Sequence, residues 1–136
     1  MNDLYERDVA AWAERQADAL RRRAANEIDW DNVADEIESL ARRDRREIHY
    51  RLEVLCTHLL KWAYQPEQRS PSWRGTIIEQ RNRIANVVEE SPSLAPHAAR
   101  LEKAYADGRR IAQGETGVAM PERCPWTIAQ VLDNEF

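Results

Sequence analysis

Four polar residues recur at intervals of seven: Asp44, Arg51, His58 and Gln65. On a helix, seven residues return to within ~20° of the starting direction, so the four form one row. The row runs within or beside an apolar stripe that carries Ile37, Leu55 and Trp62. A histidine set among carboxylate, guanidinium and amide groups is suited to acid–base chemistry or to holding a small polar ligand. Gln80 and Arg81 on a later helical segment, and Gln16 on an earlier one, add polar groups on or bordering apolar faces. A buried polar group without a partner costs on the order of a few kcal/mol. If buried, these seven side chains must therefore meet each other, water or a ligand. The plainer expectation is a hydrogen-bonded seam that fixes helix register. The sharper one is a polar inter-helix pocket around His58.

Other chemistry finds little support. His49 and His58 are nine residues apart, which turns them ~180° from one another on one helix. A di-iron bundle would show Glu-x-x-His twice, but Arg46 and Leu55 stand three residues before these histidines. His97 follows Pro96 and has no fixed partner. No metal and no cofactor are expected. Neither a P-loop, a dinucleotide fingerprint nor Gly-x-Ser-x-Gly is present, and 4 glycines could not supply them. Cys56 and Cys124 form no redox motif. Cys124, near a helix start that could lower its pKa, is a nucleophile candidate, though a small loop residue is the simpler reading.

Composition narrows the classes further. The 136 residues are 43% hydrophobic and 32% charged, which excludes a disordered or low-complexity chain and supports a single domain, 1–136. No apolar run of ~18 residues exists, and the opening residues lack a secretion signal. A cytoplasmic protein without membrane attachment is expected. A net charge of −4 argues against general nucleic-acid binding. The local cluster Arg42, Arg43, Arg45 and Arg46 would be the contact point if nucleic acid did bind. Carboxylates at helical spacing are expected to pair with it: Glu38 with Arg42, and Glu47 with Arg43 and Arg51.

Helix periodicity supplies the elements that must position these groups. A first helix aligns Tyr5, Val9, Trp12, Ala13, Ala19 and Leu20, with Asn26 as its expected close. A second opens near Asp29–Asn32 and continues for roughly 33 residues to Gln65 without Gly or Pro, with Arg42–Arg46 as its weakest section. Ser70-Pro71 starts a third, ending at Glu90. A fourth begins between Ser93 and His97 and stops at Gly114 or Gly117, with Gly108 marking weakness or close packing. Thr127 and Gln130 have capping-box spacing and start a short fifth, Ile128–Leu132. No window alternates strictly. The fold class expected is all-α: an antiparallel bundle of four main helices, one very long, plus a short C-terminal helix. Trp12, Trp30, Trp62 and Trp73 are expected as core anchors.

Several passages together resemble a known family. They include Leu4-Tyr5 with Asp8 and Trp12, Glu36-Ile37-Glu38-Ser39-Leu40, His58-Leu59-Leu60-Lys61-Trp62 with Gln65-Pro66, and Ser72-Trp73 with Thr76-Ile77 and Gln80-Arg81. Ser91-Pro92-Ser93-Leu94, Glu115-Thr116-Gly117 and Cys124-Pro125-Trp126 complete the set. In this order they resemble the bacterial family of domain of unknown function 29, over nearly the whole chain. The resemblance implies an all-helical bacterial domain of unassigned activity, and supplies no catalytic residues to carry over.

The expected role is a non-catalytic protein-interaction or scaffold module. Alternatives are a ligand-binding or acid–base bundle around His58, and a weak nucleic-acid contact through the arginine cluster. A homodimer along the long helix is also expected. That helix, at about 50 Å, exceeds the ~30–35 Å width of a domain this long. Leu60 and Val54 lie off its main stripe, where a second copy could cover them. The competing account is a bend at Arg42–Arg46, with Leu60 under the fourth helix or the C-terminal loop.

Overall fold

The helix-start signals decide where the chain is cut. The computed structural model describes residues 3–136, and every regular element among them is helical. Seven α-helices follow in order: α1 Asp3–Arg7, α2 Val9–Arg21, α3 Trp30–Tyr64, α4 Pro71–Glu90, α5 Ala95–Ala98, α6 Leu101–Thr116 and α7 Ile128–Leu132. Short 3-10 turns occupy Ala25–Glu27, Pro66–Gln68 and Pro92–Leu94.

The expected first helix is two. Asp8 leaves the helical region, and its carboxylate accepts from the Ala11 amide at 3.1 Å, capping α2. Asn26 does not close α2. Arg23 does, at φ 56°, while Ala24 N–H reaches the Ala19 carbonyl at 2.9 Å and Arg23 N–H that of Leu20 at 3.1 Å. This is a Schellman ending with arginine where glycine is usual.

The long helix is continuous. α3 holds 35 residues, about 52 Å at ~1.5 Å per residue. Arg42–Arg46 does not break it, because arginine is a good helix former and lack of an apolar side chain is no breaker. Ser70 caps α4 through Trp73 N–H, and Thr127 with Gln130 forms the capping box of α7. The fourth helix is divided into α5 and α6 at Ala99–Arg100, a break with no Gly or Pro to signal it. Gly117, at φ 72°, closes α6.

Two compact units divide the chain between Arg43 and Asp44, within α3. The first is a helical hairpin. Trp12 Nε1 donates to Asp29 at 3.1 Å and Tyr5 OH to Glu36 at 2.6 Å, so α1 and α2 run antiparallel to the start of α3. Its buried residues are Trp12, Gln16 and Ala19.

The second unit wraps the rest of α3 from two sides. Ile48, Leu52, Leu55 and Leu59 pack with Ile77 and Ile84 of α4, Ala98 of α5, Ala104 of α6 and Val131 of α7. Cys56 and Leu60 face the other way, into Tyr105, Ala112 and Met120. Leu60 is thus fully buried under α6 and the loop after it. The contact that suggested a dimer through Leu60 is made within the chain. α3 and α6 approach closely because Gly108 has no side chain; a Cβ there would stand 2.8 Å from the Glu53 carbonyl oxygen.

Candidate functional site

The seven polar residues do not converge on one place. Gln16 lies in the hairpin, where both ends of its amide bond the backbone. Nε2 donates to Glu27 O at 3.2 Å, and Oε1 accepts from Asp29 N–H at 2.7 Å. It ties α2 to the entry of α3. In the second unit Arg51 donates to Gln80 Oε1 at 3.4 Å, linking α3 to α4, and pairs with Glu47 at 3.6 Å. Arg81 is buried and its Nε donates to the Val131 carbonyl at 2.8 Å, which anchors the end of α7. Burial lowers the Arg81 pKa, and its Nη2 has no hydrogen-bond partner.

His58 is half-buried, and its Nδ1 stands 2.9 Å from the Val54 carbonyl of its own helix. Asp44 and Gln65 are half-buried. The structure therefore brings together Arg51 with Gln80, and ties Gln16 and Arg81 to backbone.

Other polar ties join neighbouring turns or residues far apart in the chain, and the long-range ones, Thr57 with Gly108 and His49 with Asp107, carried no sequence signal. Thr57 Oγ1 lies 2.8 Å from Glu53 O and 3.2 Å from Gly108 O. Arg109 donates to Met120 O, and Gln113 accepts from Met120 N–H, securing the loop after α6. His49 of α3 meets Asp107 of α6 at 3.1 Å, with Lys103 and Arg110 each 3.5 Å away. His49 first, and then Lys103, hold the Asp107 carboxyl below its usual value. Among the described residues no group of three or more His, Cys, Asp or Glu could hold a metal ion. Cys124 is half-buried and desolvation raises its pKa, the reverse of an activated nucleophile. Burial pushes the Cys56 thiol up to about 12.

Cavities open among the described residues of the second unit. An apolar groove of ≈ 530 Å³ runs between α4, α5 and α7, lined by Ile84, Val88, Ala98, Ile128 and Leu132 with Arg81. A second, of ≈ 580 Å³, lies beside Tyr105, Cys124 and Trp126, and a third, of ≈ 350 Å³, beside Trp62, Arg74 and Phe136. His58 lines none of these three.

The most unusual surface is on the hairpin. Val9 and Leu20 of α2 are 52% and 43% exposed, and Trp30, Ile37 and Leu40 of α3 are 59%, 62% and 58% exposed. The expectation of Trp30 as a core anchor fails: only its Nε1 is tied down, to Ala25 O at 3.2 Å. On α3, Trp30 and Ile37 lie about 100° round from Asp29 and Glu36, which receive the bonds from the other arm. On α2, Leu20 lies about 100° round from buried Ala19 in the same rotational sense. Because the two arms are antiparallel, both rotations lead to the same side, so one face of the hairpin carries Val9, Leu20, Trp30 and Ile37, while Leu40 lies only about 20° from the direction of Asp29.

Two of the four clustered arginines are countered locally. Arg42 pairs with Glu38 at 3.4 Å, as spacing predicted, whereas Arg43 reaches Glu36 at 3.9 Å rather than Glu47. No helix among the described residues is long and apolar enough to cross a membrane.

No curated protein and no solved structure matches this chain. The family profile described as domain of unknown function DUF29 matches residues 4–136, so an all-helical fold of two units, with an apolar face on its hairpin, belongs to a member of that family.

Proposed function

We propose that this protein is a non-catalytic interaction module, in which the hairpin presents an apolar face to a protein partner. The observation that supports the reading is the exposure of Trp30 and Ile37 together with Val9 and Leu20 on one side of two helices. Scattered exposed apolar residues are ordinary, but five large exposed apolar side chains on a unit with three buried ones among its described residues point to a missing cover. Free thiols at Cys56 and Cys124 accord with a reducing, cytoplasmic setting. A photo-crosslinking residue in place of Ile37 tests the reading in cells. A discrete protein adduct is expected, absent when the same residue replaces exposed Arg83 on α4. No adduct, or the same adducts from both positions, would defeat it.

A second reading, binding of an apolar small molecule, draws support from the α4–α5–α7 groove rather than from His58. Acid–base chemistry at His58 has less support, because the ring's Nδ1 stands beside its own helix's backbone.

A further inference from the structure

We propose that the groove between α4, α5 and α7 is a binding site for a medium-chain carboxylate, with the head group on Arg81 and the chain laid along α4. The inference rests on the reading of this groove as a small-molecule site, names its ligand, and is independent of the hairpin face. It starts from one side chain. Arg81 is 6% exposed and stands in the wall of an otherwise largely apolar groove of ≈ 530 Å³. Its Nε is committed to the Val131 carbonyl at 2.8 Å. Its Nη2 is sealed from solvent and has no hydrogen-bond partner among the described residues. Asp133 attracts the guanidinium through space, but its carboxylate accepts from the Glu135 amide at 2.9 Å. A buried guanidinium with a free donor has already lost its hydration there. An arriving carboxylate therefore gains a charge-assisted bond while only its own desolvation opposes it.

The rest of the groove selects the chain. Arg81, Ile84, Ala85, Val88 and Glu89 recur at helical spacing on one face of α4, with the arginine at one end and the exposed Glu89 at the other. Those eight steps rise ~12 Å, and only Ile84, Ala85 and Val88 of α4 line the groove between the two charges. The other walls include Ala95 and Ala98 of α5 and Ala129 of α7, whose side chains end at Cβ and leave room. An apolar slot with a cation at one end and an anion at the other orients an unbranched acyl chain, head to Arg81 and tail toward Glu89. Arg81 also borders the ≈ 350 Å³ cavity beside Trp62, but Arg74, Asn134 and Glu135 interrupt its apolar wall.

Calorimetric titration of the full chain with octanoate and decanoate, below their micellar concentrations, should show one site that tightens by up to about fourfold per added methylene. Octanol and octyltrimethylammonium should each bind at least about tenfold more weakly than octanoate. Ala85→Trp, at an exposed position on the groove wall, should abolish binding. Ile78→Trp, in the wall of the smaller cavity, should leave it unchanged. Arg81→Gln should bring octanoate down to the affinity of octanol. Because Arg81 also holds α7, the comparison of head groups on wild-type protein decides the matter even where that variant does not fold. Octanol binding as tightly as octanoate, with Ala85→Trp blocking both, would overturn the carboxylate and leave the groove an apolar site. Loss of binding in Ile78→Trp alone would place the ligand in the smaller cavity and overturn the groove. No binding by any of these compounds would overturn the carboxylate and the small-molecule reading together.

Discussion

Arg23 holds a left-handed backbone at φ 56°, where a Cβ crowds the following carbonyl. Glycine there removes the clash but gains freedom in the unfolded chain. Arg23→Gly should therefore stabilise the hairpin by less than about 1 kcal/mol, read as a rise in denaturation midpoint. Glycine at 108 behaves in the opposite way. Gly75 and Gly114 have open space where a Cβ would go, so alanine at either should add up to ~1 kcal/mol through helix propensity. At Gly108 the same Cβ would meet backbone of α3 at 2.8 and 3.1 Å, so alanine should cost about 1–3 kcal/mol. Urea denaturation of the three variants checks both signs. Asp107 sets part of the acid limit. Its folded pKa lies below the ordinary 3.8, chiefly through His49, so its contribution is present above that value and lost as pH falls through the folded one. Asp107→Asn should differ from wild type in stability near neutrality, and the difference should shrink in the acid range below about 3.8. A difference constant with pH would show that His49 does not select the carboxylate.

At the level of elements, the legible parts of the sequence were those written in local chemistry. Ser70-Pro71, Glu90 and the Thr127–Gln130 box gave the bounds of α4 and α7 because capping is settled within a few residues. The uninterrupted α3 was legible from the lack of any breaker. The break at Ala99–Arg100 and the left-handed Arg23 were not, since neither residue type announces its backbone. Among the site candidates, Gln16, Gln80 and Arg81 are buried, in keeping with a helical phase on or beside apolar faces. Their partners are backbone atoms and side chains far away in sequence, which phase does not report. The exposure of Ile37 and Trp30 escaped for a related reason: an apolar stripe on α3 looks the same whether or not another helix covers it. That difference in cover has a dynamic consequence. The hairpin buries three side chains, whereas α3 from Ile48 onward is packed on two sides. Hydrogen exchange at low protein concentration should find α2 amides opening with much smaller free energies than those of Leu52–Leu60. Equal protection in both segments would mean that the hairpin face is already covered in the single chain.

Over the whole molecule the charge is unevenly placed, and this bears on nucleic acid. Residues 1–43 hold 11 acidic against 7 basic residues, while residues 44–136 hold 13 of each, so the entire net charge of −4 belongs to the first stretch. Arg42 and Arg43 thus stand at the end of an anionic segment and are already within ion-pair distance of Glu38 and Glu36. Nucleic-acid affinity comes mainly from releasing counterions with a sustained cationic surface. Arg42 and Arg43, held by their own helix's carboxylates, offer little of that, because a phosphate contact at either must first displace an internal partner. The surrounding carboxylates also lie within the ~8 Å over which charge is felt at physiological salt. Fluorescence titration of single-stranded RNA and duplex DNA at that salt should therefore show no saturable binding. A micromolar complex that weakens steeply with salt, and disappears when Arg42, Arg43, Arg45 and Arg46 all become Gln, would show that these pairs open readily to phosphate.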